Sequence, residues 1–236
     1  MVCEAKTEES KMNIKGYKVN FLGDSITEGI GVEDMENCRV DNRLQKLCGL
    51  SEVNNYSVSG TRLAHQIHPT DKPHYDLCFC GRAFTMDHSA DMVIVYGGVN
   101  DYFHGDAPFG EIGDTTPATY CGGIYYLMDF LRQTYEGKPI IFLTPARTFL
   151  RKQVDDRIVS THYRKLPGGK PLIAYADAIL ETAKLFRIPV LDLYRDLGID
   201  PHDEEQFNTY TTDGLHLNDA GHCVLAQRLK DFIDAL

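Results

Sequence analysis

Four short stretches of the chain carry residue types that together could cleave an acyl bond. Ser25, in Gly23-Asp24-Ser25, follows an apolar run from Val19 to Leu22 that reads as a strand. A serine hydroxyl is a weak nucleophile at its ordinary pKa and needs a base within hydrogen-bond reach. His216 is the candidate base, and Asp213, three residues earlier, is close enough on a turn to orient its imidazole. Such an acid holds the tautomer whose free nitrogen faces the serine and stabilises the imidazolium once it forms. The tetrahedral oxyanion then needs donors. The backbone N–H groups of Ser25 and Gly60 and the side-chain amide of Asn100 could supply three, and losing one such donor typically costs roughly 10²–10³ in turnover. Each residue alone has a plainer reading: Ser25 or Asn100 as a helix cap, Gly60 as a turn, His216 as a loop histidine. Their joint presence, in the order a serine hydrolase needs, favours the catalytic reading.

The elements that must position these residues alternate between strand and helix. Strands are expected at Val19–Leu22, Glu52–Val58, Asp91–Tyr96, Ile140–Leu143 and Ile188–Leu193. Continuous apolar runs such as Asp91–Tyr96 suit strands covered on both faces. The spacing predicts helices over Glu36–Leu50, closed by Gly49; from Thr116-Pro117 onward, with a stripe of Cys121, Ile124, Tyr125, Met128, Leu131 and Tyr135; from Pro171 through Phe186; and after Asn218, with Leu225, Leu229, Phe232 and Leu236 inward. Gly60 is expected on a strand-to-helix turn, and residues 102–117 form a Gly-, Pro- and Asp-rich loop. Five alternating units with no second run of strands imply one parallel sheet between helices. A flavodoxin-like order 2-1-3-4-5 puts Ser25, Gly60 and Asn100 at its carboxyl edge. Residues 1–16 read as a polar lead-in and 17–236 as a single domain.

With these residues in place, the chain resembles the SGNH (GDSL) hydrolases. Gly23-Asp24-Ser25 matches the family's first block, Gly60 its second-block glycine, Gly98-Val99-Asn100-Asp101 its Gly-x-Asn-Asp block and Asp213-Gly214-Leu215-His216 its Asp-x-x-His block. Ile26 stands where leucine often follows the serine. The resemblance spans positions 23 to 216 and implies a three-layer α/β/α fold. It also implies ester hydrolysis through an acyl-serine, without metal or organic cofactor.

Composition narrows the alternatives. The chain has 236 residues, 43% hydrophobic and 25% charged, and a net charge of −10. That charge argues against general nucleic-acid binding, which needs a basic face. The polar start lacks a signal core, and the longest apolar run, around Met92–Val99, is too short to span a bilayer, so a cytoplasmic protein is expected. Seven scattered cysteines suggest neither a disulfide framework nor a zinc site. His65, His68, His74 and His88 read as solvated loop histidines. Seven Lys or Arg between 146 and 170 read as a surface segment, with an anion-attracting pocket wall as the sharper option. A phosphate-binding loop is disfavoured because both Gly-Lys pairs precede proline, at Pro139 and Pro171. The same triad would also serve a thioesterase, a lysophospholipase-type acylhydrolase or an acyl transferase, and a non-catalytic carbohydrate-binding descendant is a further alternative. The polar 102–117 loop and the absence of a lid-like apolar segment point to short acyl esters, such as acetyl groups on sugars. The partner expected is therefore a small-molecule ester.

Overall fold

The computed structural model describes residues 12–154, 157–160 and 170–236. Its strands are β1 (Lys18–Gly23), β2 (Glu52–Asn55), β3 (Met92–Tyr96), β4 (Ile140–Leu143), β5 (Arg151–Val154), β6 (Arg157–Ser160) and β7 (Val190–Leu191). Its helices are α1 (Ser25–Glu28), α2 (Met35–Cys38), α3 (Val40–Cys48), α4 (Phe79–Ala83), α5 (Val99–His104), α6 (Tyr120–Thr134), α7 (Leu172–Phe186), α8 (Leu193–Asp196), α9 (Glu204–Tyr210) and α10 (Asp219–Asp234). Five strands form one parallel sheet in the order β2-β1-β3-β4-β7, which is the order 2-1-3-4-5 expected from the sequence.

The sheet separates two cores, and the two-residue period of a strand decides which side chain joins which. Val19, Phe21, Met92, Ile94, Ile141 and Leu143 face the side covered by α3 and α10. Leu22, Val93, Val95, Ile140 and Phe142 face the side covered by α4, α6 and α7. Helix α6 commits Ile124, Leu127, Met128 and Leu131 to this second core, all fully buried. Each such side chain contributes roughly 1.5–3 kcal/mol relative to exposure. Ile14 reaches back from the N-terminal segment into the first core.

Several expected elements differ. The helix expected over Glu36–Leu50 is two, broken at Arg39, whose extended backbone accompanies an ion pair to buried Asp41 at 2.6 Å. Gly49 does close α3, in the left-handed conformation. Helix α6 starts after Thr119, whose hydroxyl accepts the Gly122 N–H, rather than at Thr116-Pro117. No helix follows Gly60 directly; an irregular segment runs to a 3₁₀ turn at Pro73–Asp76 and then to α4. Strand β2 ends at Asn55, and β7 keeps only two residues because Asp192 caps α8 and accepts the Thr144 hydroxyl. A second run of strands does exist, the antiparallel pair β5–β6. Leu236 is exposed, and Ile233 takes the inward place expected of it.

Candidate active site

Strand β1 ends at Gly23, and Asp24 begins α1 by accepting the Ile26 N–H at 3.1 Å. The cap is therefore Asp24, and the Ser25 hydroxyl is released from that duty. Burial lifts the Asp24 carboxyl to about 6, against the Ile26 hydrogen bond and the nearby His216 and Arg82 charges.

Asp213 and His216 sit on the turn between α9 and α10, closed by the Thr211–Leu217 bridge and by a Thr212 N–H bond to the His216 carbonyl at 2.9 Å. Asp213 Oδ1 accepts the Leu215 and His216 N–H groups at 2.9 and 2.7 Å, and Oδ2 lies 2.7 Å from His216 Nδ1. Burial works against the Asp213 charge, but the His216 hydrogen bond and charge outweigh it and hold the carboxyl below its usual range. His216 Nε2 lies 3.0 Å from Ser25 Oγ. The result is a continuous chain, Asp213–His216–Ser25, across 188 to 191 residues of sequence separation. With Nδ1 protonated towards Asp213, Nε2 is free to take the serine proton.

Ser25, Gly60, Asn100 and His216 line one cavity of about 580 Å³. Gly60 has φ +74°, and an added Cβ there would run into the Tyr75 ring, so glycine is required on both counts. Among the described residues, no acceptor takes the Gly60 N–H. Asn100 lies in the first turn of α5, which Gly98 opens with φ +106°. Its Nδ2 donates to the Thr61 carbonyl at 3.0 Å and to Asp24 Oδ2 at 3.2 Å. Its neighbour Asp101, pushed up to about 7 by burial, accepts the Leu63 and Ala64 N–H groups and pins the Gly60 segment to α5. The rest of the wall is largely apolar: Ile30, Phe103, Leu150 and Leu215, with Tyr75.

Sequence reasoning missed three residues that hold this site. Arg82, from α4, donates to the Gly23 carbonyl at 3.0 Å and the Thr61 hydroxyl at 2.8 Å, and also to the Tyr56 carbonyl. Arg62 and His104 stand behind Asn100. The only sequence signal for His104 is its place four residues after Asn100, on the same helix face.

Other expected candidates lie elsewhere. His65, His68, His74 and His88 are exposed. Among the described residues no three His, Cys, Asp or Glu groups are placed to hold a metal ion, and the six described cysteines are free thiols. Of the stretch 102–117 expected as a loop, residues 102–104 belong to α5 and place Phe103 and His104 in the cavity wall, while residues 105–117 do not line it. Arg147 pairs with Asp200 at 2.8 Å and Arg151 stacks on Phe207, while the side chains of Lys152, Arg157, Arg164 and Lys165 lie outside what the structure describes. Among the described residues no helix is long and apolar enough to cross a membrane.

Comparison with known proteins bears on the family and the fold. The profile of the GDSL-like lipase/acylhydrolase family matches residues 21–224. A crystal structure from Lactobacillus plantarum is 27% identical with a TM-score of 0.75, covering 94% of this chain and 98% of that one. A possible lipase from Chitinophaga pinensis is 20% identical with a TM-score of 0.67, covering 91% and 96%. An acetyl xylan esterase is 20% identical with a TM-score of 0.58, covering 91% and 98%. At their identities the last two show the fold. No curated protein matches the sequence.

Proposed function

The chain belongs to the GDSL-like lipase/acylhydrolase family, and from that premise we propose that it is a serine ester hydrolase working through an acyl-serine. The observation that carries this reading is the continuous Asp213–His216–Ser25 chain, at 2.7 and 3.0 Å, opening onto the cavity. His216 Nε2 takes the Ser25 proton as Oγ attacks the ester carbonyl. Asp213 stabilises the imidazolium that results. The oxyanion is held by the N–H groups of Ser25 and Gly60 and by Asn100 Nδ2, which shares its longer bond, the one to Asp24. Collapse expels the alcohol, which takes its proton from His216. Water, activated by the same histidine, then releases the acid and frees Ser25.

The substrate reading is a short acyl ester, with acetylated carbohydrate as one class. Its support is not the polarity of the 102–117 stretch, whose residues 105–117 do not line the cavity and whose Phe103 and His104 reach it from α5. It is a largely apolar wall on which the apolar face of a sugar or other alcohol can lie, against Tyr75, Ile30 and Leu215. The test is hydrolysis of nitrophenyl acetate, butyrate and octanoate by wild type and Ser25→Ala. Acetate and butyrate should turn over best, and Ser25→Ala should turn over none. Activity that survives in Ser25→Ala removes the serine mechanism, and octanoate as the best substrate removes the short-acyl assignment.

A further inference from the structure

We propose that His104 is a positioning residue that decides which end of the Asn100 amide faces the cavity, and that buried Arg62 fixes the tautomer with which it does so. The proposal rests on the reading of Asn100 as an oxyanion donor.

The chain of contacts allows one assignment. The Arg62 side chain is wholly buried. Its guanidinium bonds the Tyr75 carbonyl at 2.9 Å and Asp76 at 3.3 Å, and a third nitrogen contact reaches His104 Nδ1 at 2.7 Å. A guanidinium only donates. His104 Nδ1 must therefore accept, which leaves the proton of a neutral ring on Nε2. That Nε2 lies 2.9 Å from an Asn100 side-chain oxygen, and the bond runs from Nε2–H to Oδ1. The amide nitrogen is thereby turned the other way, towards Thr61 O and Asp24 Oδ2, both acceptors. A flipped Asn100 would set its NH₂ against the His104 N–H and its oxygen against the Thr61 and Asp24 oxygens. Every contact would then be mismatched.

Packing alone does not account for Arg62. Burying a guanidinium is costly unless it is paired, and its Nε has no partner among the described residues. Beyond its ties to Tyr75 and Asp76, what the arginine supplies is an obligate donor to His104. His104 itself lines the same cavity as Ser25, so the relay ends at the reacting centre.

The test uses the full chain with nitrophenyl acetate. Replacing His104 by Phe keeps a ring but removes both bonds; kcat should fall roughly ten- to a hundredfold, less than for outright loss of a donor, with KM changed less than about threefold. Gln can accept from Arg62 through Oε1 and donate to Asn100 through Nε2, so His104→Gln should recover most of kcat. In an Asn100→Ala background, His104→Phe should have no further effect on kcat. The relay is overturned if His104→Phe retains wild-type kcat, if His104→Gln is as impaired as His104→Phe, or if the two substitutions multiply. Should His104→Phe fail to fold, ¹⁵N NMR of the wild-type imidazole decides: a proton on Nε2 supports the relay and one on Nδ1 sinks it. Ser25→Ala separates the two levels. An inactive Ser25→Ala beside a fully active His104→Phe leaves the hydrolase reading standing and removes only the relay.

Discussion

Two cavities among the described residues are of similar size, each holding a nucleophile beside a histidine, and they are built differently. The first, about 580 Å³, contains Ser25 with His216 at 3.0 Å. The second, about 600 Å³, is lined by Cys78, with His65 Nδ1 at 3.7 Å from its sulfur. In the first, Asp213 grips both the imidazole and the backbone that carries it. In the second, among the described residues, no carboxylate bonds the His65 ring, and His65 is exposed. Behind Ser25 stand Asn100 and the Gly60 N–H, the donors assigned to the oxyanion in the proposed mechanism. Around Cys78 the Gly81 N–H points at the sulfur itself, while the Cys80 thiol faces the Leu63 and Gly123 carbonyls. The first steadies a thiolate at rest, and neither provides for an oxyanion. A nucleophile near a histidine is thus only part of a site; an orienting acid and donors aimed at the product of attack complete it.

That contrast can be broken at several points. Ser25→Ala should lower ester turnover roughly 10⁴-fold or more, while Cys78→Ser leaves kcat/KM within about twofold; an equal loss in both would make the two cavities one functional unit. Asp213→Asn should cost roughly 10³–10⁴ in kcat through the wrong tautomer of His216, whereas His65→Ala should change nothing measurable in the same assay. Behind the first cavity lies the wholly buried Asp24, with a folded-state value of about 6 against 3.8 for the free group. The folded state therefore takes up this proton at higher pH than the unfolded chain, so Asp24 lowers stability above about pH 6 and ceases to do so as pH falls towards 4. Urea unfolding should show wild type gaining on Asp24→Asn by up to about 3 kcal/mol over that window. A constant difference would mean that Asp24 is not desolvated as described. The smallest effect belongs to the second cavity. The neighbouring Cys80 thiol and hydrogen bonds from His65 and Gly81 bring the Cys78 thiol down to about 5, against its burial. Iodoacetamide at pH 6 should therefore label Cys78 about tenfold faster than Cys38 or Cys48. Mass spectrometry of the labelled peptides would read the order.

The parts legible in sequence were those whose signal is local. The strand expected at Asp91–Tyr96 reads as covered on both faces because Met92 to Tyr96 are all apolar, and those five form β3 and are buried. The Asp213 turn was readable because acid and histidine are three residues apart. The helix start at Thr119 was not, since Thr116-Pro117 offers equally good local chemistry and the choice falls to the Gly122 contact. Helix α4, with five residues, is too short to display a period. Arg62 and His104 are 42 positions apart and meet only because α5 closes against the Gly60 segment. No spacing rule reaches that far.

Arg82 has a consequence for how such a chain can change over time. One buried side chain ties the Gly23 carbonyl to the Thr61 hydroxyl, joining the strand end that delivers the serine to the loop that delivers the glycine. The cavity wall of Ile30, Leu150 and Leu215 is supplied by other segments that this arginine does not touch. Leu150 is thus inherited apart from the machinery, whereas Leu215 travels with the Asp213–His216 turn. Mutation can explore new esters on the wall while the reacting frame stays locked, and a substitution at Arg82 would disturb every substrate alike.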